Sequence, residues 1–198
     1  IMFLFLSALL LVPNYPYYVT FFYTMLGMFF VCLTGRENND IFYSLSLPIR
    51  KRDIVKARFT FFVIIELLQF LIAVPFAFLR QHLTSEGNQV GMDANIALFG
   101  ISFIILGVFN FLFMTWYYKS PDKVGKHFGF ASALVFVLII VAESLTHFVP
   151  LFMNKLDTPD FNFLTEKLIV LVVGFVAFVI LTLLAYFKSA NDFEKLDI

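Results

Sequence analysis

Five stretches of about twenty residues contain almost no charged side chain, and each is long enough to cross a lipid bilayer. Twenty residues of α-helix cover about 30 Å, which is the thickness of the hydrocarbon layer. Such long apolar stretches predict transmembrane helices rather than amphipathic helices or strands. The predicted spans are 17–35, 59–79, 96–117, 128–148 and 168–187.

A sixth apolar stretch, 1–12, opens the chain and is too short to cross a bilayer alone. Because the chain begins with Ile1 rather than Met, we expect this stretch to be the second half of a first span, with Pro13 and Pro16 in the turn that follows. A signal peptide is the alternative, but no basic segment or small-residue cleavage site accompanies it. The expected fold is all-α: a polytopic membrane protein with six transmembrane helices, the first incomplete, in one domain over 1–198.

Lysine and arginine are distributed unevenly between the connections. Connections 36–58 and 118–127 and the tail from residue 188 hold eleven of them, whereas the connections on the other side hold three. Cytoplasmic connections of membrane proteins are enriched in Lys and Arg. We therefore expect both of these connections and both termini to be cytoplasmic.

The composition excludes several classes of protein. Hydrophobic residues make up 61% of the 198 residues and charged residues 14%, whereas soluble domains have about 45–50% and about 25%. A soluble enzyme, a disordered tail and a nucleic-acid-binding domain are therefore excluded, and the lipid bilayer is the expected partner of most of the surface. The single cysteine, Cys32, excludes a disulfide framework and a thiolate metal cage.

The sequence contains no motif for catalysis or cofactor binding. It has no HExxH zinc motif and no Walker A lysine motif for ATP, and its three histidines lie in separate places. We therefore assign no catalytic residue, no metal ligand and no cofactor to the chain itself.

Three polar side chains inside the apolar spans are candidates for a translocation path. Glu66 and Gln69 lie three residues apart on one helix face, and Glu143 lies four residues before His147. A charge inside a span costs at least about 2.5–3.5 kcal/mol unless it is protonated or paired. Glu66 and Gln69 therefore either line a polar path or hydrogen-bond to another helix. Glu143 and His147 form either part of a path or a solvated pair at the outer interface.

Small residues form a stripe where the 128–148 span begins. Gly125, Gly129 and Ala133 recur every four residues, which lets another helix approach closely. We expect this stripe, together with the first span, to form an interface with a second copy of the chain.

The longest connection, 36–58, combines an apolar helical pattern with a dense basic run. The apolar positions are Ile41, Phe42, Leu45 and Leu47, beside the acidic Glu37 and Asp40. Ser46 can cap a helix that has Pro48 in its first turn. A short apolar helix at the membrane surface either enters the groove of a partner protein or lies on lipid, steered by the basic residues.

The string Ser-Leu-Pro-Ile-Arg-Lys-Arg-Asp-Ile-Val-Lys-Ala-Arg at 46–58 resembles a hallmark of ABC-2 type transporter permeases. In that family a similar string ends the cytoplasmic loop between the second and third spans, and the six-span layout is also the family's. The resemblance implies a coupling helix in this loop, a separate ATPase subunit in two copies that binds ATP and Mg, and a second permease copy. The residues expected to contact the ATPase are Glu37, Asp40, Ile41, Phe42, Leu45, Leu47, Pro48, Arg50, Arg52 and Asp53.

In its small size and residue usage the chain resembles permeases of low-GC Gram-positive bacteria, in particular those that export amphipathic phenol-soluble modulin peptides from staphylococci. The resemblance implies a plasma-membrane exporter of amphipathic or hydrophobic cargo that does no covalent chemistry itself. Two rival interpretations are a proton-coupled secondary transporter that uses Glu66 and Glu143, and a non-transporting immunity or signalling membrane protein.

Overall fold

The computed structural model describes residues 2–83, 87–158 and 163–196, and within these ranges it is helical with no strand. The α-helices are α1 (Tyr18–Glu37), α2 (Asp40–Leu45), α3 (Lys51–Leu83), α4 (Ile96–Lys119), α5 (Val124–Phe148) and α6 (Leu164–Glu194). Short 3₁₀ helices cover Met2–Leu11 and Pro121–Lys123, and a π-helical turn covers Phe152–Leu156. The predicted all-α class is confirmed.

Five helices in the described part of the chain are long and apolar enough to cross a membrane: α1, α3, α4, α5 and α6. They overlap the five full-length predicted spans, so the prediction of a polytopic membrane protein is confirmed. The first predicted span corresponds to the apolar 3₁₀ helix Met2–Leu11. Ile1 lies outside the described residues, and a sixth transmembrane helix stays a prediction.

Helix α4 lies at the centre of the bundle. Sixteen of its 24 residues are buried, against eight of the 31 residues of α6. It packs along α6 on one side and contacts α1 and α5 on others. The outer faces of α5 and α6 expose apolar side chains such as Ile140 and Val172, which are 64% and 59% exposed. Such faces suit contact with lipid tails.

Helices α4 and α6 touch at two glycines. A Cβ atom added to Gly174 would overlap the backbone of Gly100, and one added to Gly100 would overlap the backbone of Val170. Two turns further along α4, a Cβ on Gly107 would lie 3.0 Å from the Cα atom of Phe178. Because apolar side chains gain little by leaving lipid, close backbone approach of this kind is a principal source of helix association in membranes.

Helix α3 begins later than the sequence predicts. Ser46 does not begin a helix: it follows the last residue of α2, and its hydroxyl donates to the carbonyl of Tyr43 at 2.7 Å. Pro48 disfavours the helical conformation of the residue before it, so the chain bends until Lys51, where α3 starts. With 33 residues, α3 is about 50 Å long and extends past the hydrocarbon layer.

Two matched glycine-to-alanine substitutions test the contact between α4 and α6. Gly174→Ala should lower the free energy of unfolding by about 1–3 kcal/mol, because the new methyl group overlaps the Gly100 backbone. Gly129→Ala is the control: nothing lies within 4 Å of its Cβ position, and alanine favours a helix by up to about 1 kcal/mol. Thermal unfolding of the purified chain in detergent measures both. Equal melting temperatures for the two variants would contradict the contact.

Candidate functional site

The α2 loop, residues 38–50, presents two bulky aromatic side chains to the surroundings. Phe42 and Tyr43 are 59% and 69% exposed, whereas Ile41 is buried against the bundle and Leu45 is partly buried. The predicted apolar face of this helix is therefore divided. Ile41 holds α2 on the bundle, and the two aromatic side chains project from it.

Arg58, in the second turn of α3, joins α2 to the rest of the bundle. Its guanidinium pairs with the carboxylate of Asp40 on α2 and donates to the hydroxyl of Tyr117 on α4. It also lies 5.3 Å from the centroid of the Tyr117 ring, a cation–π arrangement, and beside the thiol of Cys32 on α1. Four helices therefore meet at these four residues, which we call the Arg58 hub.

The sequence gives no sign that Arg58 differs from its basic neighbours: it is one of the basic residues that set orientation and the last residue of the string 46–58. Its partner Asp40 lies 18 positions away and Tyr117 lies 59 positions away. Gly35 on α1 is part of the same arrangement, since a Cβ there would overlap the Asp40 carboxylate. The pair of Arg58 with Asp40, and the need for a glycine beside it, can therefore be recognised from the packed helices but not from the sequence.

The other predicted contact residues of the loop lie around the start of α3. Arg50 pairs with Asp53 at 2.9 Å, and Arg52 pairs with Glu194 at the end of α6 at 2.6 Å. The latter contact fastens the start of α3 to the end of α6. The remaining residues of the predicted contact, all exposed, are Glu37, Leu47 and Pro48.

A cleft of about 540 Å³ lies between the α2 loop and the connection from α4 to α5. Phe42 stands at its edge, and Lys119 and Lys123 lie on the opposite side. Exposed aromatic side chains beside a polar cleft are typical of a surface that binds another protein. This end of the bundle is the one that the basic residues predict to be cytoplasmic.

Glu66 and Gln69 are buried in the middle of the bundle. Glu66 Oε2 accepts a hydrogen bond from Asn110 Nδ2 of α4 at 3.1 Å, and the same amide nitrogen lies 3.3 Å from Thr182 Oγ1 of α6. Gln69 Nε2 donates to Ser7 Oγ of the N-terminal 3₁₀ helix at 2.8 Å. The geometry is that of hydrogen bonds between helices, and a role for either residue in a translocation path stays a prediction.

Glu143 lies at the opposite end of the bundle from α2, where it holds the loop 87–95. Its Oε2 atom accepts from the backbone N–H of Met92 at 2.8 Å, and His147 Nε2 lies 3.4 Å from the carbonyl oxygen of Val90. The predicted pair therefore contacts a loop of the same chain rather than solvent alone. A part for Glu143 in translocation stays a prediction.

Two aspartates complete the attachment of loop 87–95. Asp157 accepts from the backbone N–H of Asp93 at 2.7 Å, and Asp93 accepts from that of Asn88 at 2.5 Å. Met92 is wholly buried beneath them. Glu143 and Asp157 thus hold the loop from outside, and Asp93 closes it on itself.

Burial governs the protonation of both aspartates. The pKa of Asp157 is raised to about 6: burial is the main cause and the charge of Asp93 adds to it, while the bond from the Asp93 amide and the charges of His147 and Lys167 act in the opposite direction. Burial also raises the pKa of Asp93. Packing of the loop thus favours the protonated acids.

The stripe Gly125, Gly129 and Ala133 lies on an exposed face of α5. No described atom lies within 4 Å of a Cβ built on either glycine, and Ala133 is exposed. The face is open within a single chain, and its use as an interface between two copies stays a prediction.

A family model described as ABC-2 family transporter protein matches residues 1–194, which is nearly the whole chain. No curated protein and no solved structure matches the chain.

We expect loop 87–95 to be held more firmly at pH 5 than at pH 7.5. The pKa of Asp157 is about 6 when the loop is packed and about 3.9 for an exposed aspartate. The cost of packing this carboxyl therefore grows between about pH 4 and pH 6, is fully present at pH 7.5 and is only partly present at pH 5. After correction for intrinsic rates, the amides of Met92 and Asp93 should exchange hydrogen more slowly at pH 5.

The matched variant is Asp157→Asn, whose side-chain oxygen still accepts from the Asp93 amide but does not titrate. Its exchange should depend less on pH than that of the unaltered protein, although Asp93 and Glu143 still titrate beside the loop. Faster corrected exchange at pH 5 than at pH 7.5 would show that the sign is wrong.

Proposed function

The chain belongs to the ABC-2 transporter family, and from this premise we propose that it is the permease subunit of an exporter driven by a separate ATPase. The observation that carries the proposal is the family match over residues 1–194. The five apolar helices of spanning length agree with a membrane-spanning transport component. Family membership also favours this function over a proton-coupled secondary transporter and over an immunity or signalling protein.

The α2 loop is the proposed contact with the ATPase. It lies at the predicted cytoplasmic end, where an ATPase has access to ATP and Mg²⁺. Phe42 and Tyr43 offer exposed aromatic anchors, the kind of side chain that carries most binding energy at interfaces. Ile41 and the pair of Asp40 with Arg58 hold α2 in place beneath them. Two ATPase copies, one for each permease, would displace these loops as they close on ATP.

An amphipathic or hydrophobic peptide is the proposed cargo, such as the cytolytic phenol-soluble modulins of staphylococci. The chain has 29 Phe residues, and several line a groove of about 330 Å³ between α3, α4 and α6. Phe70, Phe78, Phe99 and Phe103 form its apolar walls, and the buried Lys167 is one of its polar lining residues. Apolar walls with a few polar groups suit a molecule that has both kinds of surface. The proposed location is the plasma membrane of a Gram-positive bacterium.

A second copy of the permease is proposed to pack on the stripe of α5. Closed twofold symmetry is the commonest arrangement of oligomers, and the open space at Gly125 and Gly129 leaves room for a helix backbone. With Ala133 in the same row, the stripe is small enough for close approach along two turns.

Phe42→Asp should abolish binding of the ATPase without affecting the fold. The substitution places a charge where an aromatic anchor is expected, and loss of such an anchor weakens binding by about 30-fold or more. The measurement is co-purification of the chain with a co-expressed ATP-binding-cassette ATPase subunit. Val90→Asp is the matched control, because Val90 is similarly apolar and 47% exposed at the other end of the bundle. Normal assembly and ATP hydrolysis of the Phe42→Asp complex would exclude the α2 loop as the contact.

Gly129→Leu should halve the mass of the detergent-solubilised permease, because the larger side chain blocks approach of a second helix to α5. Light scattering of the purified chain measures the mass. Gly129→Ala keeps a small side chain and should leave the dimer intact. An unchanged mass for Gly129→Leu would place the interface on another face.

A further inference from the structure

We propose that Arg58 is the positioning residue through which displacement of α2 reaches α4 at the centre of the bundle. The proposal rests on the proposed function, in which the ATPase displaces α2. It concerns how the displacement continues from α2 into the bundle. The group of α4 that Arg58 acts on is the Tyr117 hydroxyl.

One guanidinium bridges the two helices. One terminal nitrogen of Arg58 pairs with Asp40 Oδ2, and the other donates to the Tyr117 hydroxyl. The guanidinium is planar and rigid, so its donors keep a fixed relation to each other. When Asp40 moves, the group must follow it and pull on Tyr117, or one of the two contacts must break.

Burial makes these contacts costly to lose. The Arg58 side chain is 13% exposed and Tyr117 is wholly buried. Asp40 is the only acid that forms an ion pair with Arg58 among the described residues. Separation of the pair would leave a buried cation without its counter-charge, which is strongly unfavourable. The pair is therefore expected to move as a unit.

The direct covalent route from α2 to α3 is a poor alternative. Residues 46–50 between the two helices are not helical, and a bent segment transmits a push less well than a packed contact. From Tyr117 the route continues by packing: the neighbouring Tyr118 ring lies 5.2 Å from that of Phe193 on α6. Helices α4 and α6 are also joined at Gly100 and Gly174.

Cys32 provides a native reporter of the hub. It is the single cysteine of the chain, it is wholly buried, and it lies beside the Arg58 guanidinium. A thiol reagent can reach it only when the helices around the hub separate. Its rate of reaction therefore measures how often the hub opens.

The first experiment uses the full chain in lipid nanodiscs without any ATPase. Asp40→Asn should speed the reaction of Cys32 with N-ethylmaleimide about tenfold or more, because Arg58 loses its counter-charge and keeps at most a weaker hydrogen bond to the amide oxygen. Asp53→Asn, which removes only the exposed pair with Arg50, is the control and should leave the rate unchanged. Equal rates for the two variants would overturn the proposal.

The second experiment uses the complex with the ATPase and needs no cargo. A non-hydrolysable ATP analogue with Mg²⁺ should change the hydrogen exchange of α2 and also of loop 87–95, which leads into the far end of α4. Tyr117→Phe removes one hydroxyl and should keep assembly, ATP hydrolysis and the response of α2, but lose the response of loop 87–95. Arg58→Lys keeps a charge for Asp40 without the two-pronged geometry and should likewise lose the response of loop 87–95.

The outcomes separate the two proposals. If no ATPase co-purifies, the proposed function fails, while the Cys32 rates still decide whether Arg58 holds the hub closed. If the complex forms and Tyr117→Phe responds at loop 87–95 as the unaltered protein does, the role of Arg58 is refuted and the proposed function stands. An unaltered complex that shows no response at loop 87–95 would also overturn the role of Arg58.

Discussion

The contact between the backbones of α4 and α6 is the constraint on which the rest of the bundle depends. In lipid, apolar side chains gain little by leaving their surroundings, so helices associate where their backbones can touch and where polar groups can pair. Gly100 and Gly174 supply the first condition. Asn110, two to three turns further along α4, supplies the second by reaching Glu66 of α3 and Thr182 of α6. The central helix is thus fixed by one glycine contact and one polar cluster.

The described ion pairs, and the carboxylates that accept backbone N–H groups of loop 87–95, lie at the two ends of the bundle, and each end is held together in a different way. At the α2 end the fastening is ionic, through Arg58 with Asp40 and through Arg52 with Glu194. At the other end, beside the ion pair of Lys155 with Glu166, carboxylates accept backbone N–H groups of loop 87–95. A buried ion pair between helices makes a displaced helix take its partner with it, whereas bonds to a loop backbone fix the path of that loop. The α2 end is therefore the better suited to movement, and the opposite end to closure.

The sequence predicts the helices well because their signal is local. A span of twenty apolar residues needs no partner to be recognised, and all five full-length spans correspond to helices. The α2 helix was also expected, but not that Ile41 would face inward, because its pattern has too few residues to define one face. Arg58 and Gly174 could not be identified, since the role of each depends on a residue that is in contact in space but far away in the sequence. Glu66 is an intermediate case. Its position inside a span predicts that it needs a hydrogen-bond partner, but the sequence does not predict that the partner is Asn110.

These features show that the helices differ in how closely they are packed and in which surfaces they leave exposed. Helices α4 and α6 pack along each other and are in backbone contact at Gly100 and Gly174, which makes them the most closely packed pair of helices in the described structure. Helix α5 contacts α4 less extensively and keeps an open face of small residues, and the α2 loop lies outside with exposed aromatic side chains. A displacement of the α2 loop would therefore act on two closely packed helices, α4 and α6. Close packing would carry the displacement along both helices to their other end. That far end lies beneath loop 87–95, where Asn95 caps α4 and also donates to the carbonyl of Leu156. A movement of α4 along its axis consequently acts on the loop that covers the opposite face of the bundle.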